Sequence, residues 1–527
     1  MTFEHADLSL RVDPVRHWIE GDARLTFVLT APLHQIVLDL DRNLPIDSVA
    51  VDGTALPQGA WRNPDGRLTV DLPHPLAAGV RTTVRVVYHG SPHTAVHAPW
   101  DGGFVWSSTP DGKPWAATAV EGEGCDLFWP CIDHPMGRPA LLDEHITVPA
   151  PLVAVGNGVA MGMQEANGMR TYHWRSHNVS TYGVALNIAP YRELSGRYTS
   201  RFGNVIPMYY WYVDDEAQAK ALFAEFPSML DFLESTIGPY PFGTEKMGVV
   251  ETPFKGMEHQ TVNAYGNEYA KNPSGYDDLL QHELSHEWFG NQMTNANWDD
   301  MWLHEAFATY MQPLYAGYLG GKQAYFAGLM GLRSRIANHH PIVSGQPRRE
   351  EDVYNDERGG PGQDIYNKGA LMLHTLRNLI GDDAFYRATR LLVYGNEHPE
   401  PGNFAPRYGT TKEFIADVEK VTGQDLQWFF NVYLYQAALP ELQATRHGQT
   451  LSLVWLVPGK GPFPMPVDVR VGDHVVTLPM SDGHGEVPIP DQASFTLDPE
   501  SKLLRRDVGI EAYRAYVEKR KARGPKP

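Results

Sequence analysis

His282-Glu283-Leu284-Ser285-His286, followed beyond residues 287–304 by Glu305 in Trp302-Leu303-His304-Glu305-Ala306, is the stretch on which the reading of this chain turns. Residues i and i+4 share one face of a helix, so His282 and His286 can each turn a ring nitrogen to a single small cation. Glu283 is rotated by about 100° from His282 and can lean toward the same point without ligating, as a general base must. Asp277 and Asp278 ahead of Leu279-Leu280 mark a helix start, and Gly290-Asn291 a stop after Phe289, so the pentad is expected in a helix interior. Asp299 and Asp300 introduce a second helical pattern, Met301 to Leu319, closed by Gly320-Gly321 and bearing Glu305 in its first turns. Three protein ligands leave a fourth position open, the pattern of catalytic rather than structural zinc. The two cysteines, Cys125 and Cys131, cannot assemble a Cys-rich zinc site, and they suggest no disulfide framework.

Composition narrows the class. At 527 residues, 42 % hydrophobic, with 13 Trp and 25 Tyr, the chain is long enough for several domains and too apolar for disorder. The formal net charge of -19 repels phosphate backbones, so no nucleic-acid partner is expected. No apolar run reaches the ~20 residues that span a bilayer, which points away from a membrane protein. The start Met1-Thr2-Phe3-Glu4-His5 lacks a basic segment and an apolar core, and with two cysteines a cytoplasmic location is expected. Lys519, Arg520, Lys521, Arg523 and Lys526 form a basic tail that reads as a solvated helix end.

Period-two alternation from Leu8, Leu10 and Val12 to Val84, Val86 and Tyr88 makes the first third β, and the pattern persists to about Tyr191. Ala217 to Ile237 reads as a helix ended by Gly238-Pro239, with helical patterns dominant to about Tyr435. Beyond Pro440, Leu451 to Trp455 and Val467, Val469 and Val471 alternate again around Gly and Pro turns, a small β-sandwich.

His282 to Asn291 and Trp302 to Ala308, with the eighteen residues 287–304 between the second His and Glu305, resemble the zinc signature of the gluzincin aminopeptidases, the family of alanyl aminopeptidase N and leukotriene epoxide hydrolase. Lys255-Gly256-Met257-Glu258-His259 is similar to the family's exopeptidase motif Gly-x-Met-Glu-Asn, with Lys255 and His259 departing from it. Glu121 to Asp133 resembles the N-domain segment ending in Phe-Pro-Cys-x-Asp, with Trp129 in place of Phe. Asp364-Ile365-Tyr366-Asn367-Lys368-Gly369-Ala370 resembles the segment that supplies the family's catalytic tyrosine. After Ala437-Ala438-Leu439-Pro440 the pattern is one β-rich module, so the large C-terminal helical domain of many relatives is not expected.

The resemblance implies a multidomain α+β fold. An N-terminal β-sheet domain would span 1–192, a thermolysin-like, mainly helical catalytic domain 193–437, a small C-terminal β-sandwich 438–510 and a short basic helical tail 511–527. It implies one Zn2+ per chain on His282, His286 and Glu305, with Glu283 as general base and Tyr366 as donor to the oxyanion. Glu258 and Glu121, with Glu123 as a competitor for the second place, would hold the substrate's α-amine, and Gly256 and Met257 its backbone. The implied substrates are peptides with a free N-terminus, because a cationic amine pairs with carboxylates fixed one residue from the metal. An endopeptidase or epoxide hydrolase using the same metal, or a silent binding protein, are the alternatives. Asp299, Asp300 and Glu287 are candidates to orient the histidines. Oligomeric state and the first side-chain pocket depend on residues distant in sequence and are not read from it.

Overall fold

A computed structural model describes residues 1–522. The chain divides into two compact units, the first made of Met1–Asn297 and His398–Tyr408, the second of Trp298–Glu397 and the chain from Gly409 onward.

The first unit opens on β1 (Thr2–Asp13) and β2 (Trp18–Val28), where the period-two pattern does what it predicts. Ala6, Leu8, Leu10 and Val12 are buried while His5, Asp7 and Ser9 lie on the opposite, half-open face. Both belong to an eight-stranded sheet ordered 159–166, 169–177, 141–149, β1, β2, 81–90, 46–51, 54–55, in which β1 runs parallel to 141–149 with His5 opposite Leu141. Gly21 of β2 sits against the buried ring of Tyr88, and a Cβ there would meet that ring at 2.1 Å. The Tyr88 hydroxyl donates to the Phe128 carbonyl at 2.7 Å, fastening the sheet to the segment 125–131.

That segment corrects one expectation. Cys125 and Cys131 form a disulfide, their Cα atoms 6.3 Å apart and both residues fully buried. Six residues of separation allow the closure, and Cys131 is held in place by reciprocal backbone hydrogen bonds with Asp39 at 2.8 and 3.0 Å.

A five-stranded sheet follows, ordered 192–199, 205–212, 247–251, 263–265, 256–257. Its last three strands lie where the sequence pattern predicts mainly helix. The helix expected over 217–237 is two helices, α1 (Glu216–Phe223) and α2 (Phe226–Thr236). Pro227 has no amide hydrogen and clashes with the preceding turn of a continuous helix, so it sits instead in the first turn of α2. The helix α3 (Asp278–Ser285) lies against the strands 256–257 and 263–265.

The second unit begins with α4 (Trp302–Arg333). The expected end at Gly320-Gly321 is present as a break, Gly321 having φ 74° and ψ -168°, a region open only to glycine. Helices 367–380, 382–394, 411–422 and 427–433 follow, then two three-stranded sheets made of 441–447, 450–456 and 484–488 and of 467–471, 474–478 and 495–497. The small C-terminal β module is therefore present. The last helix, Val508–Ala522, bears Lys519 and Arg520 in the open, while Arg523 and Lys526 of the basic tail lie outside the described residues. Among the described residues no helix is long and apolar enough to cross a membrane.

Candidate active site

The helix α3 starts where the sequence predicts. Asp277 caps it by accepting the Leu280 amide at 3.0 Å and is itself fixed by the Tyr265 hydroxyl at 2.5 Å. It stops earlier than expected, after Ser285, so His286 occupies the C-terminal cap and not the interior. The helix tightens there, the amides of His286, Glu287 and Trp288 reaching back three residues to Glu283, Leu284 and Ser285, and beyond it those of Asn291, Gln292 and Met293 reach back five residues to the carbonyls of His286, Glu287 and Trp288 at 2.9, 3.1 and 3.2 Å.

The i, i+4 relation survives this ending. The Nε2 atoms of His282 and His286 stand 3.1 Å apart with the rings at 88° to each other. Nδ1 of His286 lies 2.8 Å from the Phe289 carbonyl, which can only accept, so the ring proton sits on Nδ1 and Nε2 presents its lone pair toward His282. Two converging imidazole nitrogens, one with its tautomer fixed by a backbone carbonyl, suit zinc. The Phe289 carbonyl thus orients His286, in a place where the sequence suggests a carboxylate.

Glu283 is buried on α3, and its carboxylate, that of Glu258 and a His286 ring nitrogen lie within 4.8 Å of one another. The backbone of the short edge strand makes this closeness possible. Gly256 and Met257 pair with Tyr265 and Ala264, and a Cβ on Gly256 would come within 2.5 Å of Glu283 Oε1. Of the two departures from the exopeptidase motif, Lys255 is exposed and His259 is fully buried. Neither ring nitrogen of His259 has a hydrogen-bond partner among the described residues, and burial holds its pKa down at about 3, so the ring is neutral. Glu258 is held through its backbone, whose carbonyl accepts from Asn291 Nδ2 at 2.9 Å. Glu287 accepts the Thr261 amide at 2.8 Å and Asn263 Nδ2 at 2.9 Å, and burial pushes its carboxyl up to about 8 against those hydrogen bonds. Its place is thus among the residues that fix the 258–263 backbone.

Glu121 and Glu123 differ sharply. Glu121 is 5 % exposed with its carbonyl accepting the Gly102 amide at 3.2 Å, whereas Glu123 is exposed.

In the second unit Glu305 lies in the first turn of α4, 2 % exposed. The next residue, Ala306, is packed so closely on the helix 367–380 that a Cβ on Gly369 would meet its Cβ at 2.5 Å. Asp299 accepts from the amides of Ser344 and Gly345 at 3.0 and 2.8 Å and from Arg348 Nε at 2.7 Å, and Asp300 from the Thr411 amide and hydroxyl at 2.9 and 2.6 Å. These contacts brace loops of the second unit. Tyr366 is half-buried at the entry of the helix 367–380. Its segment is anchored on both sides: Asp364 accepts the amides of Ala337 and Asn338 at 2.8 and 2.6 Å, and Lys368 Nζ donates to the carbonyls of Gln436 and Ala437, both at 2.7 Å.

Comparison with known proteins identifies the family. Residues 2–182 match the Peptidase M1 N-terminal domain and residues 227–433 the Peptidase family M1 domain. A leukotriene A-4 hydrolase of Xenopus laevis is 25 % identical over 402 residues, covering 72 % of this chain and 62 % of its own length. A putative aminopeptidase-2 of Caenorhabditis elegans is 25 % identical over 70 % of this chain, which spans 19 % of that relative's length. Among solved structures, a variant M1 zinc metallopeptidase of Deinococcus radiodurans bound to a Tyr-Ser-Ala substrate is 26 % identical, with a TM-score of 0.69 over 83 % of this chain and 95 % of that one. With both M1 domains matched in chain order and two zinc-suited histidines converging from α3 and its C-terminal cap, the chain belongs to the M1 peptidase family.

Proposed function

We propose that the chain is a zinc aminopeptidase that removes the first residue of peptides with a free N-terminus. The observation that carries this reading is the buried group of Glu258, Glu283 and His286, whose ligand atoms lie within 4.8 Å of one another. One carboxylate beside a metal histidine serves as base. A second one, buried and facing the same point, is an uncompensated cost beside an uncharged peptide bond and a gain beside an ammonium group.

One Zn2+ would be held by His282, His286 and Glu305, at the family's spacing. When bound, it supplies Lewis acidity toward the scissile carbonyl and lowers the pKa of water to about 7. Glu283 takes the proton of the attacking water and returns it to the leaving amine. Tyr366 donates its phenolic hydrogen to the oxyanion, a contribution of about 3 kcal/mol if it resembles other such donors. Glu258 receives the α-amine, and Glu121 is its partner in preference to Glu123, since a buried acid is preorganised for a cation and an exposed one is solvated. Gly256 and Met257 offer the edge-strand backbone to the substrate chain.

The functional division follows the sequence, with 1–192 as β domain, 193–437 as catalytic domain and 438–510 as β module. The cytoplasmic setting expected from the cysteine count is opposed by the Cys125–Cys131 bridge, since reducing compartments keep such pairs open. Thiol counting on protein trapped by alkylation in intact cells decides between them.

Release of aniline from aminoacyl anilides, free and N-acetylated, tests the activity. Hydrolysis confined to the free-amine substrates and reduced about 10²- to 10⁴-fold in Glu283→Gln is the expected result. Equal turnover of both substrates sinks the exopeptidase reading, and diol formation from an epoxide or internal cleavage of blocked peptides would replace it.

A further inference from the structure

We propose that Tyr182 is the positioning residue for Glu258. This rests on the reading of Glu258 as amine anchor. The two residues lie 76 positions apart, Tyr182 in the short turn Thr181–Gly183 and Glu258 just after the edge strand 256–257, and the Tyr182 hydroxyl donates a hydrogen bond to Glu258 Oε1. Both are buried, at 5 % and 3 % exposure, so water does not compete for the bond.

The short turn Thr181–Gly183 that carries the phenol is joined to the backbone around Glu258 by a single amide side chain. Asn157 Nδ2 donates to the carbonyls of Gly183 and Gln260, both at 2.8 Å, and its Oδ1 accepts the Ala185 amide at 2.9 Å. Asn157, 0 % exposed, thus fixes the distance between the segment bearing the phenol and the segment bearing the acid. Asn291 holds the Glu258 carbonyl at 2.9 Å from the other side. The acid is therefore gripped at its main chain by one amide and at its carboxylate by one phenol.

Two consequences follow for the chemistry. A donor on Oε1 fixes the carboxylate plane and leaves Oε2 to the substrate's ammonium group, so less rotamer freedom is lost on binding. It also restrains a second task for which Glu258 is equipped. Glu258 stands in a group with Glu283 and His286 that could itself hold a metal, and a carboxylate free to swing would compete for the cation. The phenol occupies Oε1 and keeps the acid for the amine.

Tyr182→Phe tests this, read against Glu258→Gln and the double variant. An amino-acid hydroxamate and its des-amino counterpart serve as probes beside the anilide substrates. The expected result for Tyr182→Phe is a rise of about tenfold in KM and in Ki for the amino probe. Its kcat should change less than about threefold, with Ki for the des-amino probe and zinc content unchanged. In the Glu258→Gln background the same substitution should add nothing, because a residue acting through Glu258 loses its effect with it. A fall in kcat with unchanged KM, equal weakening of both probes, or a full additional effect in the double variant overturns the inference. Should Tyr182→Phe not fold, a fluorinated tyrosine incorporated at position 182 replaces it. Its hydroxyl is a stronger donor in the same place and draws charge from Glu258, so Ki for the amino probe is expected to rise relative to Ki for the des-amino probe, and an unchanged ratio overturns the inference as well. If Glu258→Gln itself leaves KM and the amino-probe Ki unchanged, the amine-anchor reading has failed, which is distinct from a large Glu258 effect with none from Tyr182.

Discussion

At the residue scale, the absence of one methyl group does as much as any side chain. Gly256 lets the edge strand lie on Glu283, and the 2.5 Å approach leaves no space for a Cβ. On the proposed role of Glu283 as base, Gly256→Ala is expected to displace its carboxylate and lower kcat at least about tenfold, while bound zinc stays at the wild-type level. Steady-state kinetics with metal analysis on the same preparation check this. The pentad, Glu305, Glu258 and Tyr366 are candidates that sequence alone proposes, because each sits in a short contiguous signature. Tyr182 and Phe289 could not. Phe289 acts through its carbonyl, which residue identity does not encode, and Tyr182 meets Glu258 only after two sheets have been built.

At the element scale, the close packing of α4 on the helix 367–380 backs the turn that bears Glu305. Gly369→Ala forces the two helices apart or the Ala306 methyl aside, and overpacking of this kind costs about 1–3 kcal/mol. Denaturant unfolding should show that loss, and repair by the compensating Ala306→Gly. The eight-stranded sheet carries a test of a different kind. Burial pushes the Asp143 carboxyl up, but hydrogen bonds from Arg175, His173 and His5 outweigh it and hold the pKa at about 2. A carboxyl depressed on folding contributes stability that is present above its ordinary range, near pH 4, and is lost as pH falls through about 2. Asp143→Asn is therefore expected to lower Tm at pH 7, with the difference from wild type shrinking between pH 4 and pH 2. A difference independent of pH would remove the ionised carboxylate from the account. Elements with a clear period, such as β1, β2 and α4, were legible in the sequence. The strands 247–251, 256–257 and 263–265 were not, because two to five residues buried on both faces have no alternation to read. Likewise the sequence pattern runs α3 through His286, since the three-residue backbone bonds that end it and the five-residue ones that follow have no side-chain signature.

At the scale of the whole molecule, the reading requires one zinc per chain. Dialysis against a strong chelator should remove one equivalent and all peptidase activity, and one equivalent of Zn2+ should restore it. Activity that survives a zinc-free preparation would refute the metal chemistry. Removal is also expected to lower Tm, because a ligand bound to the folded chain at a thousand times its Kd stabilises it by about 4 kcal/mol. The order of modules was legible because composition shifts accompany it: alternating strands first, helices next, alternating strands again. The disulfide was hidden because two cysteines in 527 residues give no framework pattern, and pairing depends on where the strand holding Asp39 meets Cys131.

The Cys125–Cys131 bridge has a practical bearing on the bench. Dithiothreitol and mercaptoethanol, common additives in purification buffers, attack disulfides and also ligate zinc. An enzyme prepared in them could lose turnover by two routes at once, and the loss would be misread as a defect of Glu283 or Glu258. A phosphine reductant, which opens sulfur bridges without offering a thiolate to the metal, separates the two effects.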